Sequence, residues 1–145
     1  MKGDEKMKLN EIANYVIKGY PNSCFAINAK SYPHMCDDAE ELYSFFAYEL
    51  IGICSCGQPE NAMRMVRNYL RYVGAAWGDR ESVLEKGFGV KSVYDNELLL
   101  FMAYILDEKD LTDHGSGIGG AWITEMGKMC LTVLEACDLG DENDT

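Results

Sequence analysis

The chain has 145 residues, 48% of them hydrophobic and 26% charged, and a formal net charge of −11. That length and composition suit one globular domain, residues 1–145, and exclude a chain disordered throughout. The acidic balance repels phosphate and attracts basic proteins, which speaks against nucleic acid as a partner.

The longest apolar run, Leu98 to Leu106, is far shorter than the ~20 residues that cross a bilayer, so no membrane partner is expected. No apolar stretch follows the first lysines, so no signal peptide is expected. The chain then belongs in a bacterial cytoplasm, and its six cysteines are expected as free thiols. Polar residues dominate 1–7 and 140–145, which are expected to be flexible.

Helical patterns fill most of the chain. Leu9 to Tyr20 places Ile12, Tyr15 and Val16 on one face, and Pro21 stops it. Residues 21–36, with Pro21, Asn22, Ser23 and Pro33, are expected as loop. Asp38-Ala-Glu-Glu41 has capping-box character and opens a helix to about Ile53. Cys56-Gly57-Gln58-Pro59 then marks a tight turn, with Gly57 past one helix and Pro59 opening the next. That next helix runs to Val73 with Met63, Val66, Leu70 and Val73 as its apolar stripe. Asp79 to Lys86 is expected as a short helix ended by Gly87. Ser92 opens another, to about Glu108, which is apolar all round and expected in the core. The glycines at 115, 117, 119 and 120 permit a hairpin or an irregular loop, with a strand at 121–123. Thr124 suits the N-cap of a last helix carrying Met126, Met129, Cys130, Val133, Leu134 and Cys137 on one side. The class is therefore all-α, about five to six helices, with a short β-hairpin or Gly-rich loop before the last helix.

Charge is divided unevenly along this framework. Residues 95–145 hold 12 acids against Lys109 and Lys128, a net of −10. Residues 1–94 hold the other 12 acids against 11 bases, a net of −1. Such crowding costs stability through mutual repulsion and invites a functional explanation. Asp107, Glu108, Asp110 and Asp113 group at a helix end and its loop.

Three segments carry two resemblances. Trp122-Ile-Thr-Glu-Met-Gly127 before an amphipathic helix resembles the end of the wing in winged helix-turn-helix regulators. Cys54-Ser-Cys-Gly-Gln-Pro59, Asp107-Glu-Lys-Asp-Leu-Thr-Asp-His-Gly-Ser116 and Trp122 to Gly127 together resemble small uncharacterised proteins of Firmicutes phages and prophages. That second resemblance spans about residues 40–137 and implies a mobile-element origin rather than an activity.

No site of chemistry is spelled out. Cys54 and Cys56 with His34 and Cys36 do not make a standard zinc spacing, and small residues at 54–57 also suit a tight turn. A thiol at Cys56, near a helix N-terminus, is the candidate for redox chemistry. His114 beside Asp113 is a candidate base, but more simply ties its loop by hydrogen bonds. Gly115, Gly117 and Gly119 follow no βαβ strand and are not a dinucleotide fingerprint. No catalytic residue, cofactor or metal site is therefore expected. Cys130 and Cys137 are expected to pack as small hydrophobes.

Two readings follow. In the first, a non-enzymatic acidic protein binds a basic protein surface through Asp107, Glu108, Asp110 and Asp113. Its target would be a host nuclease of a defence system, held by nucleic-acid mimicry in the manner of anti-CRISPR and anti-restriction proteins. In the alternative, Arg64, Arg67 and Arg71 contact phosphate in a winged-helix-like DNA-binding regulator. Their simpler role is a solvated face, or bridges to the acidic third. An enzyme is a third, lower-ranked reading, and a homo-oligomer is compatible with all three.

Overall fold

Seven α-helices and one two-stranded hairpin are found in the described part of the chain, which the computed structural model gives as residues 7–55, 57 and 59–140. The class is the all-α one expected, with the hairpin before the last helix. Apart from Met7 and Gly140, the ends expected to be flexible lie outside the described residues. Met7 packs against the core, and the Gly140 carbonyl is held by Arg67.

Helix α1, Leu9–Gly19, begins where the Glu11 carboxylate accepts the Lys8 backbone N–H at 3.0 Å. Ile12, Ala13 and Val16 are buried, but Tyr15, expected on the same face, is exposed. The supposed loop that follows holds helix α2, Cys24–Ser31, and a 3-10 turn, Pro33–Asp37. Ser23 Oγ accepts the Ala26 N–H, and the Glu49 carboxylate accepts those of Cys24 and Phe25 at 2.7 and 3.3 Å. An anion on the positive end of a helix stabilises it. That distant carboxylate, together with burial of Phe25, Ala26 and Ala29, overrides the turn-forming residues.

Helix α3, Ala39–Ser44, is capped by the Asp38 carboxylate, which accepts the Glu40 N–H at 2.9 Å. It widens into a π-helical stretch, Phe45–Ile51, and ends at Gly52 with φ of 92°. Only glycine takes that backbone freely, so the helix stops there and not at Gly57. Helix α3 with its π-helical extension thus stops well short of Gly57, and Cys56 and Gln58 of the expected tight turn lie outside the described residues.

Helix α4, Pro59–Gly74, is the centre of the packing and lies against α5, Arg80–Phe88, and α7, Glu125–Ala136. Met63, Val66, Leu70 and Val73 are buried as their spacing predicts. Helix α5 ends at Gly89, not at Gly87. Gly87 stays inside because a Cβ there would lie 3.2 Å from the Asn68 Cβ of α4, so the two helices need its small size.

Arg80, 6% exposed, ties these parts together. Its guanidinium donates to the carbonyls of Val73 (2.8 Å), Ala75 (3.3 Å) and Ala121 (2.6 Å) and stacks 3.7 Å over the Trp77 ring. A cation suits the negative end of α4, and five fixed donors suit converging carbonyls.

Helix α6, Glu97–Glu108, is capped by Asn96, whose side chain accepts the Leu99 N–H at 2.9 Å. Ser92 caps only the 3-10 turn, Val93–Asp95. The expectation that α6 lies wholly in the core is wrong. Leu99, Ala103 and Leu106 are buried, while Leu98 is 61% exposed and Phe101 66%, with Tyr104 and Ile105 also exposed. The chief neighbours of α6 are the Val93–Asp95 turn and strand β1, so no long helix among the described residues packs closely across its outer face.

Strand β1, Thr112–Asp113, pairs antiparallel with β2, Trp122–Ile123, Thr112 opposite Ile123. Thr124 caps α7 by accepting the Gly127 N–H at 3.0 Å, and all six residues predicted for the inner side of α7 are buried. Gly127 is required, because a Cβ would run into the Leu111 carbonyl oxygen. No helix among the described residues is long and apolar enough to cross a membrane.

Candidate functional site

The acids at 107–113 stand where α6 stops. The Asp110 and Leu111 N–H groups return to the carbonyls of Asp107 and Leu106, both at 3.1 Å. Asp110 itself has φ of 66°, a left-handed conformation that Asp tolerates better than most side chains. Fully buried Leu111 anchors the turn. Thr124 fixes it to α7, its hydroxyl donating to the Asp110 carbonyl at 2.6 Å and its N–H to that of Leu111 at 3.2 Å. The acidic turn is thus held rigidly between α6 and α7.

Within the turn, Asp107 is half-buried and meets His114, whose Nδ1 lies 3.0 Å from the Asp107 carboxylate. Asp113 accepts the His114 backbone N–H at 2.8 Å. Glu108, Asp110 and Asp113 are exposed. Among the described residues, none of the four acids forms an ion pair with Lys or Arg; His114 is the partner of Asp107. The negative end of the α6 dipole adds to the same field. Three exposed carboxylates, those of Glu108, Asp110 and Asp113, thus stand on one bonded turn, with Asp107 turned to His114.

One grouping was not legible in the sequence. Ligand atoms of Asp107, Asp113 and His114 lie within 4.8 Å of one another. Two carboxylates and an imidazole could hold a divalent transition metal, although exposed groups of this kind often stand without one. Seven residues separate Asp107 from His114, and only the helix-ending turn at 109–111 brings them together.

The three arginines reach toward the C-terminal segment, Arg67 buried and Arg64 and Arg71 partly exposed. Arg64 Nε donates to the Leu139 carbonyl and Arg67 Nη1 to that of Gly140, both at 2.7 Å. Arg67, 4% exposed, also donates to Asn68. It is not on a solvated face, because α4 is central and the C-terminal segment covers it. Arg71 pairs with Glu135 through two bonds, of 2.7 and 2.6 Å. The helix thus bridges to the acidic third through Arg71, away from the 107–113 turn.

The buried thiols are inert by position. Burial pushes Cys130 up from the usual thiol range, and burial with Glu40 nearby pushes Cys137 up to about 12. A thiol kept protonated is a poor nucleophile and packs as a small hydrophobe. Cys24 and Cys54 are exposed, and Cys56 lies outside the described residues. A groove of about 900 Å³ opens elsewhere, between the start of α1 and α7, over Leu9, Ile123 and Leu131. It mixes Lys8 and Lys128 with Asp37, Glu125 and Glu135 and gathers no single chemistry.

Comparison with protein families, curated proteins and solved structures finds no match. What the chain does is therefore argued from its own surface.

Proposed function

We propose that this chain is a non-enzymatic binder of a basic protein surface, engaged through Asp107, Glu108, Asp110 and Asp113. The observation that carries the reading is that, among the described residues, none of them has a Lys or Arg partner, in a turn anchored by Leu111 and Thr124. Fixed carboxylates lose little freedom on binding, and they attract cations over a Debye length of about 8 Å at physiological salt. The target is a host nucleic-acid-binding defence enzyme, whose cationic groove such acids occupy in place of phosphates. The resemblance to phage and prophage proteins supplies that setting, in a bacterial cytoplasm.

The DNA-binding alternative has no comparable support, since Arg64, Arg67 and Arg71 hold Leu139, Gly140 and Glu135. The test is an affinity capture from host lysate at low salt. It compares the parent with a variant carrying Asp107→Asn, Glu108→Gln, Asp110→Asn and Asp113→Asn. Recovery of a nuclease by the parent alone, lost in high salt, is expected. Equal recovery by both proteins, or recovery indifferent to salt, overturns the reading.

A further inference from the structure

Among the described residues, the outer face of α6 is a further surface that is left exposed. Leu98, Phe101 and Ile105 recur at three and four residues, so they form one line along the helix, with Tyr104 beside it. All four are exposed, as is Tyr94 just before the helix. Together they show on the order of 500 Å² of mostly apolar surface, within the ~300–600 Å² of a monomer's largest patch, which is often a functional one. The residues beneath them, Leu99, Ala103 and Leu106, are fully packed, so the patch rests on a firm base.

Charge decides what fits there. Glu97, Phe101, Tyr104 and Glu108 follow one another at four, three and four residues, so an exposed acid closes each end of the line. The two glutamates are separated by three helical turns, roughly 16 Å. A second copy is a poor occupant. In a two-fold antiparallel pair of α6 helices the same flank meets itself, bringing Glu97 of one copy to Glu108 of the other. The patch also falls short of the ~800 Å² per partner of a standard interface. A lone helix needs less area, and basic residues three turns apart on it would meet Glu97 and Glu108. At the C-terminal end they would also approach Asp110 and the negative end of the α6 dipole.

We infer that α6 docks an amphipathic helix of the partner protein, apolar along one face and bordered by Lys or Arg. This deepens the reading of a basic protein partner and rests on it. It adds that recognition is apolar in the middle and electrostatic at the rim, as in helix-on-helix peptide recognition.

Three fluorescent 18-residue peptides test it by anisotropy against the whole chain. One has a leucine stripe with lysine borders, one the same stripe with glutamate borders, and one the lysine composition in scrambled order. The first is expected to bind at least tenfold more tightly than either of the others. Phe101→Ala and Tyr104→Ala, at exposed positions that leave the core intact, are expected to weaken it at least tenfold each, with helicity unchanged by circular dichroism. Equal binding of the scrambled lysine peptide overturns the docking inference and leaves the basic-partner reading standing. Equal binding of the glutamate-bordered peptide overturns both. Sedimentation of the parent as a dimer that Phe101→Ala converts to a monomer overturns the inference in favour of a second copy.

Discussion

Helices α4 and α6 invert what their sequences suggest. Helix α4 is studded with arginines and buries nine of its sixteen residues, Arg67 and Asn68 among them. Helix α6 is the most continuously apolar stretch of the chain and buries three of its twelve. Hydropathy therefore did not decide burial here. Neighbours did: α4 lies between α5 and α7, whereas α6 touches mainly a short turn and a two-residue strand. A buried arginine persists where carbonyls converge on it, and Phe101 stays exposed where no described element covers it.

The largest expected effect breaks the first half of that contrast. Arg80 satisfies three backbone carbonyls from two parts of the fold and stacks on Trp77. Arg80→Ala leaves those carbonyls without their donor and is expected to cost about 3–5 kcal/mol in urea unfolding. Arg80→Lys recovers little, because an ammonium cannot span the fork. A loss under about 1 kcal/mol for Arg80→Ala would mean that the junction of α4, α5 and β2 is held by apolar packing instead.

Adjacent leucines sharpen the second half. Leu99→Ala, at a fully packed site, is expected to cost about 2–5 kcal/mol. Leu98→Ala and Phe101→Ala, on the outer face, are expected within about 0.5 kcal/mol of the parent. Thermal or denaturant unfolding of the three variants reads this directly. A large loss for Phe101→Ala at micromolar concentration, absent on dilution, would reveal a partner copy covering the face.

Such pairs also mark where the sequence could be read and where it could not. Helix α7 was legible because Thr124 supplies a cap and the following residues bury one clear face. The stripe of α4 was legible for the same reason. Periodicity says which residues share a face; it does not say whether another element reaches it, and α6 was misjudged for that reason. Helix α2 was hidden because Pro21, Asn22 and Pro33 signal turns, although Ser23 was available as a cap. The end of α5 moved from Gly87 to Gly89 because Gly87 serves close packing against Asn68. At the candidate site, the four acids could be grouped by their numbering. The meeting of Asp107 with His114 depends on the left-handed turn at Asp110 and could not be read.

The packed side of the molecule should also betray itself in alkali. Burial, the leading cause at each group, pushes Tyr43 from 10.0 up to about 12 and Cys137 from 9.0 up to about 12, and it raises Tyr69 and Cys130 as well. Below about pH 8 these groups are protonated whether the chain is folded or not, so they leave stability unchanged with pH. As pH rises from the unfolded values toward 12, the unfolded chain ionises first and stability is lost. Tyr43→Phe and Cys137→Ala are each expected to flatten the fall between pH 9 and 12, with upper limits of about 2 and about 3 kcal/mol respectively. A melting temperature unchanged from pH 8 to pH 11 in the parent would mean that these side chains are wetter than their burial implies.

The smallest effect bears on charge. Arg71 and Glu135 form a two-bond pair at side chains 33% and 35% exposed, where solvent screens the attraction. A double-mutant cycle with Arg71→Ala and Glu135→Ala is expected to return a coupling of about 0.5–1 kcal/mol, falling as salt is raised. That size fits an acidic third touched by arginine at its edge and left negative at the α6 turn. A coupling above about 2 kcal/mol, insensitive to salt, would make α4 a counter-charge to the acidic third. The field at Asp107, Glu108, Asp110 and Asp113 would then be weaker than their number implies. The apolar face of α6 would have to supply more of the partner's affinity, and neutralising the four acids would weaken binding less than Phe101→Ala.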